Sequence, residues 1–169
     1  MVRDRVDIDS SGRINERLDG LIDQLQAFPE LYRHRLIVVV QGITDDDRFS
    51  LNHFARGHDL QYININLELS RRLLEVPQQQ WPTKVFRLLS DEIVGRSSAS
   101  AVALEHIEVL FDPALQVNPV DCLLQLARYR LVIARWKGTC DDRHLVYAEP
   151  GHPEFCQHPT EDIQVLSLE

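Results

Sequence analysis

Methionine is almost missing from this chain, with one residue in 169, and no run of aromatic residues stands out among its two tryptophans, four tyrosines and six phenylalanines. Such a sequence offers no platform for stacking the bases of single-stranded nucleic acid. Cysteine is scarce too. Cys122, Cys140 and Cys156 are odd in number and lack paired spacing, which excludes a disulfide framework and predicts free thiols in a reducing compartment. Cys122, in PVDCLLQLARY beside Leu123 and Leu126, reads as a small core residue. No apolar run reaches the roughly 18 residues of a membrane helix, and MVRDRVDIDSSGR has no signal-peptide core, so the cytoplasm is the expected location and no membrane the expected partner. There is no G-x-S-x-G elbow, no Cys/His pair in a nucleophile context, no internal repeat and no low-complexity segment. The net charge of −8 arises without a tail of like charges. It argues against broad binding of DNA or RNA, which needs a basic face to displace counterions.

What remains is an ordinary globular composition, 44% apolar and 26% charged, in a length that fits one domain spanning 1–169. Ile14, Leu18, Leu21, Ile22 and Leu25 follow the spacing of a one-faced helix, predicting a short N-terminal helix over about 12–28 that Phe28-Pro29 closes. RLIVVVQ (35–41) and LQYININ (60–66) read as strands, with helix-like RFSLNHFARGH (48–58) between them and a short helix, LELSRRLLEV (67–76), after them. TKVFRLLSDEIVGR (83–96) is a helix with Thr83 as its N-cap. The segment 99–111 begins as a third strand, Pro119 opens a helix to about Tyr129, and RLVIARW, HLVYAEP and IQVLSL supply three more strands. Strands that are nearly continuously apolar and alternate with helices predict an α/β fold of three layers around a mostly parallel sheet. Ligand sites on such sheets lie at the carboxyl ends of the strands.

Gln41-Gly42 stands at one of those ends, where a strand, loop and helix would normally cradle nucleotide phosphates. Against the pattern G-x-x-x-x-G-K-[ST], Gly42 matches, Asp47 replaces the second glycine, Arg48 replaces lysine and Phe49 replaces the hydroxyl residue, with Ser50 one place later. Asp45, Asp46 and Asp47 also bring the wrong charge. One carboxylate about 6 Å from a phosphate costs roughly 3 kcal/mol at an effective dielectric near 20. The acids are better explained as capping a helix start, at about 0.3–1 kcal/mol each, so that their own charge fills the anion site. No cofactor is expected; ATP with magnesium is the alternative.

A second stretch reads either as a nucleotide motif in the right order or as a strand end that Glu105, His106 and Glu108 merely cap while Ile107 and Leu110 pack. In the larger ring-forming P-loop ATPases the third strand is followed by a pattern like LDE-I-D-x-L, whose Asp orients magnesium and whose Glu activates water. Leu104-Glu105-His106-Ile107-Glu108-Val109-Leu110 fits this frame, with Glu105 in the magnesium place and His106 in the catalytic one. Arg135, closing the fourth strand, stands where related ATPases place a sensor of the outer phosphate. Gly42, Asp47, Arg48, Ser50 and Arg135 thus form the candidate vestigial nucleotide site, with Glu105 and His106 the candidate catalytic pair.

HIEVLFDPALQVNP, LARYRLVIARWKG, LVYAEPGHPEF and YININLELSRRLLEVP together resemble the BrxF family, small P-loop proteins of bacteriophage-exclusion (BREX) defence systems. The resemblance runs from about Arg35 to Phe155. It implies a P-loop NTPase fold and a place in an antiviral assembly beside a large ATPase, a methyltransferase and a phosphatase-like protein. The family's nucleotide residues carry over to Gly42 and Glu105, and Asp47, Arg48 and Phe49 depart from them. The expected function is an accessory defence component with a degenerate nucleotide site that acts through protein partners. The alternative is a weak or partner-completed ATP-hydrolysing subunit. Other defence proteins, a large ATPase among them, and a second copy of the chain are the candidate partners.

Cys140-x3-His144 and His152-x3-Cys156, with His158 in reserve, have the residue types of a zinc site. They lack its tight C-x2-C knuckles, and His144 opens an apparent strand, so no metal is expected. Arg71-Arg72 and Arg128-Tyr129-Arg130 are small basic spots of the kind that solvated helix faces carry.

Overall fold

The computed structural model describes residues 4–41 and 49–168, with side chains from residue 11 onward. It opens with helix α1 (Asp4–Ala27), followed by β1 (Leu36–Val40), α2 (Leu51–Arg56), β2 (Leu60–Asn64), α3 (Ile65–Leu73) and α4 (Trp81–Arg87). Then come β3 (Ala101–Glu105), two 3-10 turns, α5 (Pro119–Leu126), β4 (Leu131–Trp136), β5 (Thr139–Cys140), β6 (His144–Tyr147), β7 (Cys156–Pro159) and β8 (Gln164–Ser167). The order in the main sheet is β2-β3-β4-β1-β8, and every neighbouring pair is parallel.

The three layers follow from the two-residue period of a strand. Leu36, Val38 and Val40 pack with α3, α4 and α5 on one face, and Ile37 and Val39 pack with α1 and α2 on the other. All five residues of β1 are buried, as expected of a strand covered on both sides. Ile14, Leu18, Ile22 and Leu25 form the buried stripe of α1, so its apolar period located the packed face. It did not locate the helix start, which lies at Asp4 rather than near residue 12, because an apolar period marks the packed face and carries no signal for where backbone hydrogen bonding begins. Among the described residues no helix is long and apolar enough to cross a membrane.

Three elements differ from expectation. Thr83 is not an N-cap: α4 begins at Trp81 with Pro82 in its first turn, and the Thr83 hydroxyl donates to the Gln80 carbonyl at 3.0 Å. From Leu88 to Val94 the same helix widens into a π-helix. The strand expected at HLVYAEP is β6, and it belongs to a separate antiparallel sheet, β5-β6-β7. Residues 141–143 and 148–155 connect these strands. Both links are shorter than the dozen or more residues of a parallel crossover, so hairpins are the only closure available.

The small sheet is fastened to the main one through the end of β4. Trp136 is fully buried, and its Nε1 donates to the Val146 carbonyl at 3.1 Å. Phe111 stacks on Tyr147 at 3.9 Å between centroids and meets Trp136 edge-on at 5.4 Å. Gly138 makes this closeness possible, since a Cβ there would lie 2.0 Å from the Val146 carbonyl oxygen and 2.6 Å from Trp136 Nε1. Gly138→Ala is expected to destabilise the protein by about 2–3 kcal/mol, the upper range for overpacking, in urea unfolding followed by tryptophan fluorescence. Unchanged stability would mean that the small sheet is not held by this contact.

Candidate functional site

A parallel sheet brings all its strands to the same edge, so β1, β3 and β4 end side by side, with β4 between the other two. On the face covered by α1 and α2 the alternation runs through Leu60 and Tyr62 of β2, Ala101 and Ala103 of β3, and Leu131 and Ile133 of β4. One further step along β3 and β4 places Glu105 and Arg135 on that same face, now at the strand ends. The sheet therefore ends in a row of polar groups.

Arg135 is the centre of the row and is only 7% exposed. Its Nε donates to Gln41 Oε1 at 2.7 Å, just beyond the end of β1. Its Nη1 donates to the Phe49 carbonyl at 2.9 Å and to Glu105 Oε1 at 3.3 Å. The guanidinium also lies 5.7 Å from the centroid of the Phe49 ring, within cation–π range. The second oxygen of Glu105 accepts from the Tyr62 hydroxyl. Burial, followed by the hydrogen bond and negative charge of Glu105, raises the Tyr62 phenol well above its ordinary range, with Arg135 opposing. Among the described residues no buried side-chain nitrogen or oxygen lacks a hydrogen-bond partner. The pair thus meets the condition under which buried charges are tolerated.

Outside this row lies a cavity of about 260 Å³ lined by Gln41, Phe49, Ser50, Glu105, His106, Arg135 and Lys137. Lys137 is balanced by Glu108 at 3.2 Å. His106 lines the cavity from a left-handed backbone (φ 55°, ψ 47°), a conformation unfavourable for a side chain with Cβ. Ser50 caps α2, its hydroxyl accepting from the His53 amide at 3.2 Å. The cap of this helix is therefore Ser50 and not one of the three acids.

Of the residues singled out from sequence, Ser50, Glu105, His106 and Arg135 converge on this cavity. Gly42, Asp45, Asp46, Asp47 and Arg48 lie outside the described residues. Phe49, taken only as a lost hydroxyl, supplies both a carbonyl and a ring to Arg135. Gln41, Tyr62 and Lys137 were missed. Alternation along β2 carried the signal for Tyr62, while Gln41 looked like the polar end of a strand. The residues with zinc-ligand chemistry do not gather. His144 lies 3.5 Å from Asp141, His158 reaches Asp121 at 3.2 Å, and no three His, Cys, Asp or Glu residues among those described form a metal site.

No family model, curated protein or solved structure matches the chain. The site's own geometry is that of a carboxylate engaged from both sides, by a guanidinium and a phenol, and a cation whose Nε and Nη1 already have acceptors.

Arg135→Met leaves the partly buried Glu105 without its cation and is expected to cost about 3 kcal/mol, the lower end for a broken buried pair, in urea unfolding. Adding Glu105→Leu to that variant should recover most of the loss, because both charges are then gone. Equal losses in the single and double variants would contradict the pairing. The Tyr62 shift predicts a pH effect. Below pH 10.0, the ordinary phenol value, folded and unfolded chains both keep the proton and Tyr62 adds no pH dependence. Above it the unfolded chain releases the proton while the folded one retains it, so stability falls as pH rises. Tyr62→Phe should flatten that fall in unfolding curves recorded across the alkaline range.

Proposed function

We propose that this chain is a P-loop-type protein that does not hydrolyse nucleotide, an accessory component of a bacteriophage-exclusion defence assembly that acts by binding other proteins. The observation that carries the loss of hydrolysis is the engagement of Glu105. A carboxylate that is to hold magnesium must be free to turn toward the ion, whereas here Arg135 and Tyr62 take both of its oxygens. Around Arg135 the acceptors are equally committed.

The topology supports the P-loop part of the reading. The strand that ends at Val40, the one that ends at Glu105 and the one that carries Arg135 are the first, third and fourth of the parallel sheet, and the fourth lies between the other two. That is where a residue has to be placed to reach both a phosphate loop and a magnesium carboxylate. The cavity beside them, at about 260 Å³, falls below the roughly 300–1,000 Å³ of pockets that hold small molecules. The place in a defence system rests on the resemblance of the segments between Arg35 and Phe155 to BrxF proteins. One observation favours the alternative of a partner-completed ATPase: the His106 side chain lines the cavity and makes no hydrogen bond or ion pair with any described residue.

Co-expression with the remaining proteins of such a system tests the proposal. The chain is expected to co-purify with at least one of them without nucleotide, and Glu105→Gln and His106→Ala should change neither that recovery nor the ATPase rate of the complex. A rate that collapses in both variants would establish the partner-completed enzyme instead. Failure to associate with any component would remove the accessory role.

A further inference from the structure

The two ends of α5 are unlike each other. At its start Asn118 and Pro119 help line a cavity of about 520 Å³, whose other walls include Phe111, Asp112, Glu154 and Phe155. Asp112 uses one oxygen to accept from the Ala114 amide, and neither Asp112 nor Glu154 forms an ion pair with a described lysine or arginine. Phe155 is 37% exposed at the rim. The negative field there is felt by a neighbour: after burial, Glu154 and Glu108 are what raise the Tyr147 phenol. The cavity thus combines apolar walls, an accessible aromatic ring and two carboxylates without a cation.

Beyond the other end of α5, after its C-cap at Ala127, stand Arg128 and Tyr129. Tyr129 is 84% exposed. Neither side chain makes a hydrogen bond or ion pair with a described residue. An aromatic residue beside a free guanidinium has the composition of an interface anchor, because Tyr and Arg are enriched among the few residues that dominate binding energy. The eight helical residues of α5 rise about 12 Å, so the knob and the cavity belong to opposite ends of one helix.

We propose that the Arg128–Tyr129 knob of one copy enters the Asp112–Glu154 cavity of the next, so that the chain associates head to tail. Each surface supplies what the other lacks: Tyr129 fills the apolar cleft beside Phe155, and Arg128 meets the uncompensated carboxylates. Because knob and cavity are different patches of the same molecule, the contact is heterologous and builds a ring if the rotation closes or a filament if it does not. This inference goes beyond the nucleotide reading and does not depend on it, since no residue of the Arg135 row takes part.

Sedimentation velocity of the full chain over a wide concentration range tests the proposal. Association that rises with concentration and weakens with salt is expected. Tyr129→Ala should weaken it roughly thirtyfold, the loss at a truncated hot spot. Arg128→Glu and Glu154→Arg should each abolish association alone. Mixing the two variants should restore it, since each then offers the surface that the other accepts. Unchanged thermal unfolding of the variants confirms that they are folded. A chain that stays monomeric at every concentration, or variants that associate normally alone, or a mixture that stays dissociated, would overturn the proposal.

Discussion

A guanidinium can leave water only if its donors find acceptors and its charge is answered, and Arg135 does so through three neighbours, one of them held in turn by a fourth residue. Gln41 follows β1, Phe49 precedes the cap of α2, Glu105 ends β3, and Tyr62 reaches the same carboxylate from β2. One buried cation therefore ties together the ends of β1, β3 and β4, and β2 joins them through Tyr62. Charges about 4 Å apart attract by roughly 4 kcal/mol at an effective dielectric near 20, so an incoming magnesium ion would first have to displace an interaction on which the fold relies. In parallel sheets the strand ends are normally left to a ligand; here they are closed by the chain's own side chains.

The consecutive residues Arg135 and Trp136 divide the work of β4. Pleating sends them to opposite faces, Arg135 to the polar row and Trp136 to the aromatic cluster with Phe111 and Tyr147. The small antiparallel sheet is thus seated on the same strand that closes the candidate nucleotide site. Glu105 and Phe111, six residues apart along the chain, repeat the arrangement from β3, the first holding Arg135 and the second packing under Tyr147.

Much of this was legible from sequence where one physical signal dominated. The apolar, mainly β-branched run at 36–40 read as a doubly covered strand, and the segment 99–111 read as a strand whose carboxyl end holds Glu105 and His106. Other features were hidden because their cause lies in contacts distant in sequence. Arg135 read as a sensor of a ligand, whereas its partners come from positions 41, 49 and 105, and nothing local marks them. The three acids suggested a helix cap, yet Ser50 has the hydroxyl at the position where the amides of α2 begin. The HLVYAEP strand fitted a parallel sheet by composition, and only the shortness of its connections pointed to hairpins. The π-helix at 88–94 was hidden because Leu88, Leu89 and Ile93 also fit the stripe of an α-helix.

The most direct measurement is calorimetric titration of the purified chain with Mg-ATP and with Mg-ADP, beside Glu105→Gln. If Arg135 and Glu105 fill the site for each other, the native chain gives no heat of binding with either nucleotide. Saturable binding at micromolar concentration, lost in Glu105→Gln, would mean that the carboxylate leaves Arg135 for magnesium, and the account would fail.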